Sequence, residues 1–154
     1  MVIVSFHGGA EGSKALHVPH GRETFYNEDR GNLRQFTHAV VDAGADVVLG
    51  HGPHVLRGME IYRERLIAYS LGNFATYGRF NLSGPLGIGG VLEVEIDGEG
   101  RFVAGRLLPT RQEGQGVPVI DEKSAALDLV RKLSTEDFPE TGVVVAQDGT
   151  LGAR

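Results

Sequence analysis

Four polar side chains that can bind metal ions or transfer protons each follow one of three apolar runs. They are His7, His51, His54 and Asn73, and the runs before them span residues 2–6, 47–49 and 66–71. Such runs predict buried strands, and in α/β sheets ligands bind outside the carboxyl ends of the strands. Imidazole nitrogens beside amide or carboxylate oxygens are ligands typical of Zn, Mn or Fe. The sequence therefore predicts a site for a divalent metal (Mn, Fe or Zn) at one edge of a sheet.

Each candidate also has a plainer interpretation. A single histidine after a strand is usually a loop residue, and His51 and His54 lie in a Gly/Pro loop, where paired imidazoles do not share a helix face. Glu11, four residues after His7, is a metal ligand, a partner that orients His7, or a loop charge. His20 lies in a long polar loop, where it either contacts substrate or is simply solvated.

Two further charged side chains could serve the same site. Arg79 could hold a phosphate or carboxylate, as guanidinium groups do, or be a surface arginine. Glu60 either orients a histidine or is a charge at the rim of the site. His38 falls within a helical pattern and is interpreted as a helix-surface or helix-packing residue. The glycine-rich stretch 84–90 lacks the Lys-Ser/Thr pair of a phosphate-binding loop, and it predicts a flexible connection.

Hydrophobic periodicity predicts the elements that position these residues. Residues 29–43 carry apolar side chains at helical spacing, with Asp29 as the expected N-cap and Gly44 as the stop. Strand, helix and strand then follow at the spacing of a βαβ unit, which pairs two strands in parallel. Residues 8–29 show no clean periodicity and are expected to form a long loop.

The second half of the chain has a different pattern. Residues 91–96 alternate between apolar and acidic side chains, and with the run 101–108 they predict an antiparallel hairpin that has one solvated face. A second amphipathic helix is predicted at 123–133. The tail, 143–154, is expected to be a loose or edge segment. We expect one α/β domain spanning residues 1–154.

The composition of the chain argues against several kinds of partner and metal ligand. The chain has 154 residues, with 15 basic and 20 acidic side chains and a net charge of −5, so nucleic acid is not expected as a partner. The absence of cysteine excludes disulfides and thiolate metal ligands. The 23 glycines are scattered rather than periodic, which predicts many tight loops.

Three ordered segments carry a family resemblance. They are SFHGGAE at 5–11, DAGADVVLGHGPHV at 42–55 and IAYSLGNF at 67–74. Together they resemble the CapA-type poly-γ-glutamate capsule-synthesis family, within the calcineurin-like metallophosphoesterase superfamily, over residues 2–77. The resemblance implies an α/β fold that is a partial metallophosphoesterase-like αββα sandwich, with a mixed sheet and a C-terminal antiparallel hairpin.

The resemblance also implies roles for the strand-end residues. His7, Glu11, His51 and His54 would be metal ligands, and His7, His54 and Asn73 would act in catalysis, while Arg79 and His20 would contact substrate. In the superfamily, two metal ions activate a water for in-line attack on a phosphoester. One residue separates the family's histidine pair but two separate His51 and His54, so the assignment of each histidine to a particular metal stays open.

The amino-terminal elements of the superfamily, an Asp-containing strand and an Asn-His element, have no counterpart before His7. We therefore expect the chain to be the carboxyl-terminal portion of such a protein. The alternative functions are a non-catalytic binding or assembly component of polyglutamate or cell-envelope polymer synthesis, and an inactive fragment.

The expected partner is a small-molecule or polymer substrate. Membrane-associated polymer-synthesis machinery and a second copy of the chain are further candidates. Localisation stays open between the cytoplasm and the cell envelope.

Overall fold

The first of two main sheets contains the predicted parallel strands. The computed structural model describes residues 1–78 and 80–154. The strand order in this sheet is β1 (Ile3–His7), β4 (Val47–His51), β6 (Arg65–Ala68) and β5 (Met59–Tyr62). β1, β4 and β6 run parallel, and β5 is antiparallel to β6. The helix α1 (Leu33–Asp42) lies between β1 and β4 in the chain, which confirms the βαβ unit.

Side chains on the two faces of this sheet belong to two separate apolar cores. Val48 and Ile67 pack with residues of α1 in one core, whereas Leu66 and Ala68 contribute to the other. The period of two along a strand explains why neighbours in β6 point to opposite faces. β4 and β6 are covered on both faces, which matches their apolar composition. β1 is the outer strand of the sheet and its Ile3 is 52% exposed, so the prediction that this strand is buried was wrong.

The second sheet is antiparallel and confirms the predicted hairpin. It contains β7 (Ile88–Ile96), β8 (Phe102–Glu113), β9 (Val117–Ile120), β10 (Val144–Val145) and β11 (Thr150–Gly152). The second predicted helix is also present as α2 (Ala125–Asp137). The Asp121 carboxylate accepts hydrogen bonds from the backbone N–H groups of Lys123 and Ala125, and the second of these satisfies a free donor in the first turn of α2.

The polar stretch predicted as one long loop contains a small hairpin. Its strands are β2 (Glu23–Phe25) and β3 (Glu28–Gly31). Asp29 therefore lies in a strand, and the prediction that it caps α1 was wrong. The cap is Asn32, whose side chain accepts a hydrogen bond from the backbone N–H of Gln35 at 3.1 Å. Gly44 ends the helix region with a φ of 108°, as predicted.

Two segments are more ordered than the sequence suggested. The tail 143–154, expected to be loose or at an edge, forms β10 and β11 with Val145 and Leu151 buried, and β10 lies at the sheet edge. The stretch 84–90, predicted as a flexible connection, forms a 3-10 helix and the start of β7. A Cβ at Gly89 would collide with the carbonyl oxygen of Asn73, so close packing explains that glycine.

The result is a mixed α/β fold consistent with the expected partial αββα sandwich. α1 packs on one face of the parallel sheet, and α2 joins the core shared with the antiparallel sheet. Neither helix in the described part of the chain has the length and apolar character that crossing a membrane requires.

Candidate functional site

The strand-end histidines lie at one edge of the parallel sheet. His7 and His51 are register partners at the carboxyl ends of β1 and β4. The backbone N–H of Gly8 donates to the carbonyl of His51 at 2.9 Å, which holds the two strand ends together. A Cβ on Gly52, whose φ is 119°, would lie 2.9 Å from the carbonyl oxygen of Gly8. Glycine therefore permits a close approach between the two loops that leave this edge.

His54 is held in one tautomer by Asn73. The Asn73 amide nitrogen donates to the carbonyl of Leu86 at 3.1 Å, so its Oδ1 is left to accept. That oxygen lies 2.9 Å from Nδ1 of His54, which must therefore be the protonated nitrogen. In the neutral imidazole, Nε2 keeps a free lone pair. His54 also has a φ of 61°, an uncommon left-handed conformation for a residue other than glycine.

The free nitrogen of His54 faces Glu11. Nε2 lies 3.9 Å from Oε2 of Glu11, and the other carboxylate oxygen accepts a hydrogen bond from Arg30 at 3.0 Å. The backbone N–H of Gly12 donates to the carbonyl of Pro53 at 3.0 Å, which ties the segment of Glu11 to the loop of His54. The structure thus brings together Glu11, His54 and Asn73.

This donor pair suits a divalent cation. Zinc binds imidazole nitrogen and carboxylate oxygen at about 2.0–2.2 Å, which places two donors of a tetrahedral ion about 3.4 Å apart. Nε2 of His54 and Oε2 of Glu11 lie 3.9 Å apart, so a small side-chain movement would bring both into contact with an ion. His7 and His51 lie at the same edge, but no three His, Cys, Asp or Glu side chains within 1–78 and 80–154 form a group that could hold an ion. The fit therefore rests on two ligands.

A buried ion pair anchors the loop that carries Glu11. The Arg57 guanidinium is buried and contacts both carboxylate oxygens of Glu23, at 2.9 and 2.7 Å. It also donates to the carbonyls of Ala10 and Ala15, which flank Glu11 in sequence. Because each of these groups is buried or partly buried, the contacts fix the loop's path more firmly than a surface ion pair would.

The two residues predicted to contact substrate are His20 and Arg79, and the structure describes only the first. His20 lines a cavity of 630 Å³ that shares no lining residue with the 180 Å³ cavity at Glu11 and His54. The structure therefore does not bring His20 to the strand-end site. Arg79 lies outside the described residues.

Glu60 orients a histidine, but not one of those at the strand ends. Its Oε1 is 2.7 Å from Nε2 of His38 and accepts from the Tyr69 hydroxyl at 2.7 Å, while Oε2 accepts from Thr141 at 2.6 Å. Glu60 is buried, so the rim-charge interpretation was wrong. Burial, followed by the charge of Glu60, raises the pKa of Tyr69. His38 also stacks on Tyr62, with ring centroids 3.7 Å apart, which favours the helix-packing interpretation over the helix-surface one.

Sequence reasoning missed Arg30 and Arg57. Arg57 carried a usable signal, because it is a charged residue within the apolar run 55–59, and such a residue is rarely fully buried unless it is paired. Arg30 had no comparable signal, since its contact with Glu11 depends on a hairpin whose short strands show no alternation.

Comparison with known proteins finds a bacterial family that matches the first half of the chain. The sequence profile described as "Bacterial capsule synthesis protein PGA_cap" matches residues 1–77, half of the chain. That segment contains His7, Glu11, His51, His54 and Asn73.

Individual relatives match a shorter stretch. "PGA biosynthesis protein CapA" of Bacillus subtilis is 46% identical over 55 residues, which is 36% of this chain and 14% of that protein. "Capsule biosynthesis protein CapA" of Bacillus anthracis is 44% identical over 55 residues, 36% of this chain and 13% of that protein. "Uncharacterized protein y4sH" of Sinorhizobium fredii is 52% identical over 50 residues, 32% of this chain and 11% of that protein.

The matched stretch is thus a small part of each relative's length. The profile match nevertheless extends over the strands, the helix and the strand-end residues that build the site. The chain belongs to the bacterial capsule synthesis protein family PGA_cap.

Proposed function

We propose that the chain acts in poly-γ-glutamate capsule biosynthesis through a metallophosphoesterase-type site that hydrolyses a phosphoester with a divalent metal. The observation that carries the proposal is the facing pair of Nε2 of His54 and Oε2 of Glu11, 3.9 Å apart. The names of the Bacillus relatives, which refer to PGA and capsule biosynthesis, support the wider role.

In this proposal each residue has a separate task. His54 and Glu11 hold the ion, and Asn73 keeps the lone pair of His54 on the nitrogen that faces Glu11. His7 and His51, from the adjacent strand ends, are the remaining proposed ligands. The bound metal would lower the pKa of a water so that it attacks phosphorus. Arg79 stays the proposed substrate contact, and His20 is assigned no step.

The cavity at the site favours a small reacting group. It has a volume of 180 Å³ and is lined by Glu11, His54, Asn73, Phe25 and Phe80, among other residues. Pockets that enclose a whole small molecule are typically about 300–1,000 Å³. A phosphoryl group would therefore enter, while the remainder of a larger substrate lay outside.

The test is metal-dependent hydrolysis by the purified chain. We expect near-stoichiometric Mn, Fe or Zn by elemental analysis, and turnover of bis(p-nitrophenyl) phosphate or p-nitrophenyl phosphate when Mn²⁺ is added. His54→Gln should abolish both, and His38→Gln, the matched control in the buried pair, should retain both. A folded, metal-loaded protein without turnover would overturn the hydrolase proposal.

A non-catalytic role in binding or assembly is the second candidate. It is favoured by the finding that, within the described residues, only two of the four proposed ligands come into one group. A structural metal needs no open position for water, and polymer assembly needs no hydrolysis. Metal binding that depends on His54 without any hydrolysis would support this candidate, with polymer-synthesis machinery at the membrane or a second copy of the chain as the partner.

A further inference from the structure

Arg30 makes a two-sided contact next to the proposed metal site. One guanidinium nitrogen lies 3.0 Å from Oε1 of Glu11 and another lies 3.0 Å from Oε2 of Glu28. The guanidinium carbon is 5.4 Å from the ring centre of Phe25. The backbone carbonyl of Arg30 accepts from the N–H of Gly9 at 3.1 Å. Both the main chain and the side chain of Arg30 are therefore attached to the segment that carries Glu11.

The two oxygens of Glu11 consequently have different surroundings. Arg30 occupies Oε1, whereas Oε2 is directed to Nε2 of His54. From this division we infer that Arg30 is a positioning residue, which holds Glu11 so that one oxygen stays available to a cation beside His54. The inference rests on the proposed metal site, and it concerns how that site is built.

This contact differs from an ordinary surface ion pair. The side chains of Arg30 and Glu11 are 24% and 26% exposed, whereas Arg22 and Asp29, which pair in the same hairpin, are 70% and 52% exposed. Among the described residues, Nε of Arg30 is buried without a hydrogen-bond partner. An unpaired buried donor is unfavourable, so the position of the guanidinium is set by the contacts of its two terminal nitrogens and not by Nε.

Charge and positioning predict opposite effects of removing Arg30. A guanidinium beside a ligand carboxylate repels an incoming cation, so if charge dominates, its loss should tighten metal binding. If Arg30 orients Glu11, its loss should weaken binding, because partners that orient metal ligands typically contribute about 10–100-fold to affinity. The sign of the change therefore separates the two explanations.

The experiment measures Mn²⁺ affinity of the full 154-residue chain by the electron paramagnetic resonance signal of free Mn²⁺. We expect Arg30→Ala to weaken binding by about 10–100-fold. Arg30→Gln keeps one N–H donor for Oε1 and should lie between wild type and Arg30→Ala. Arg22→Ala, the control in the exposed pair of the same hairpin, should leave affinity within about twofold, as weak surface pairs imply.

The possible results bear on the positioning role of Arg30 and on the proposed metal site separately. Unchanged or tighter binding in folded Arg30→Ala or Arg30→Gln overturns the positioning role while leaving the proposed function intact. A wild-type chain that binds none of Mn²⁺, Fe²⁺ and Zn²⁺ overturns both. If circular dichroism shows that Arg30→Ala does not fold, Arg30→Lys replaces it as the test variant. Lysine keeps the positive charge but lacks the planar guanidinium, so this variant should still bind Mn²⁺ more weakly than wild type. Equal affinity would overturn the inference.

Discussion

Two histidine–glutamate pairs in this fold differ in how completely their polar atoms are satisfied. His38 and Glu60 are 2.7 Å apart, and the Glu60 side chain is 3% exposed. His54 and Glu11 are 3.9 Å apart, and the Glu11 side chain is 26% exposed. Glu60 also accepts from two hydroxyl groups, whereas Glu11 has one oxygen on Arg30 and one facing His54.

The difference separates a structural pair from the pair that we propose binds a metal ion. Both carboxylate oxygens of Glu60 accept from donors of the chain, three donors in all, so the pair stabilises the fold and leaves little for a ligand. The His54–Glu11 pair keeps an unshared lone pair and an open oxygen at a cavity, which is an arrangement that a cation can complete. Residue types alone do not distinguish the two pairs, because each consists of a histidine and a glutamate.

The largest expected effect is the difference in unfolding free energy between a variant that lacks Glu60 and one that lacks Glu11. Glu60→Ala leaves three buried or partly buried donors without an acceptor, and we expect unfolding free energy to fall by about 3 kcal/mol or more. Glu11→Ala should cost less than about 1 kcal/mol, since it breaks one partly exposed pair. Urea denaturation of both variants measures the contrast. Equal losses would remove the distinction between the two pairs.

A smaller effect is expected at Tyr69, whose hydroxyl donates to Glu60. Tyr69→Phe should cost about 1–2 kcal/mol at neutral pH, because Glu60 and Thr37 each lose a partner. The pKa of Tyr69 is raised in the folded state by burial and then by Glu60, while the unfolded chain releases this proton near pH 10.

The stabilisation from that raised pKa is present below pH 10. It is lost as pH rises further, by about 1.4 kcal/mol per pH unit, because only the unfolded state ionises. Tyr69→Phe should therefore flatten the alkaline decline in stability between pH 10 and 11, measured by denaturant titration. A wild-type decline identical to that of the variant would show that Tyr69 is not shielded as described.

The smallest expected effect is in the matched histidine variants. His38→Gln should lower stability by about 1 kcal/mol, since it weakens one hydrogen bond and a stacked contact with Tyr62. His54→Gln should stay within about 0.5 kcal/mol of wild type, as expected for a half-exposed loop residue. Thermal unfolding resolves both. Greater destabilisation by His54→Gln would mean that the strand-end pair is structural after all.

Much of the fold could be predicted because it is encoded locally. The β-branched runs identify β1 and β4, and helical spacing identifies α1. The alternation of Leu92, Val94 and Ile96 with acidic residues predicted the hairpin of the second sheet. These features depend on neighbours within a few residues, and a sequence shows them directly.

β5 and the small hairpin of β2 and β3 lacked a local signal, unlike β6. β5 and β6 are joined by Arg63 and Glu64, which have φ values of 47° and 63°. A two-residue hairpin turn with two positive φ angles normally contains Asn or Gly, so this turn has the geometry without the usual residues. The hairpin that contains Arg30 is equally hard to recognise, since three- and four-residue strands give periodicity too little length.

Only the features of the candidate site that follow from strand topology could be predicted from the sequence. The parallel arrangement accounts for His7 and His51 at one edge, and the turn after β6 brings Asn73 to His54. The choice of partner for each glutamate was not predictable, because it depends on contacts between elements distant in sequence. Glu60 contacts His38 across 22 positions, and Glu11 contacts Arg30 across 19.

The buried guanidinium of Arg57 has a consequence for local unfolding. The segment from Ala10 to Glu23 has little regular structure, yet it is fastened to the interior through Arg57. It cannot detach without separating that charge from Glu23, which would cost about 3–5 kcal/mol. Backbone amides such as that of Ala10, which donates to Glu23, should therefore exchange with deuterium more slowly than those of an unanchored loop, and proteases should cleave this long loop slowly despite its polar sequence.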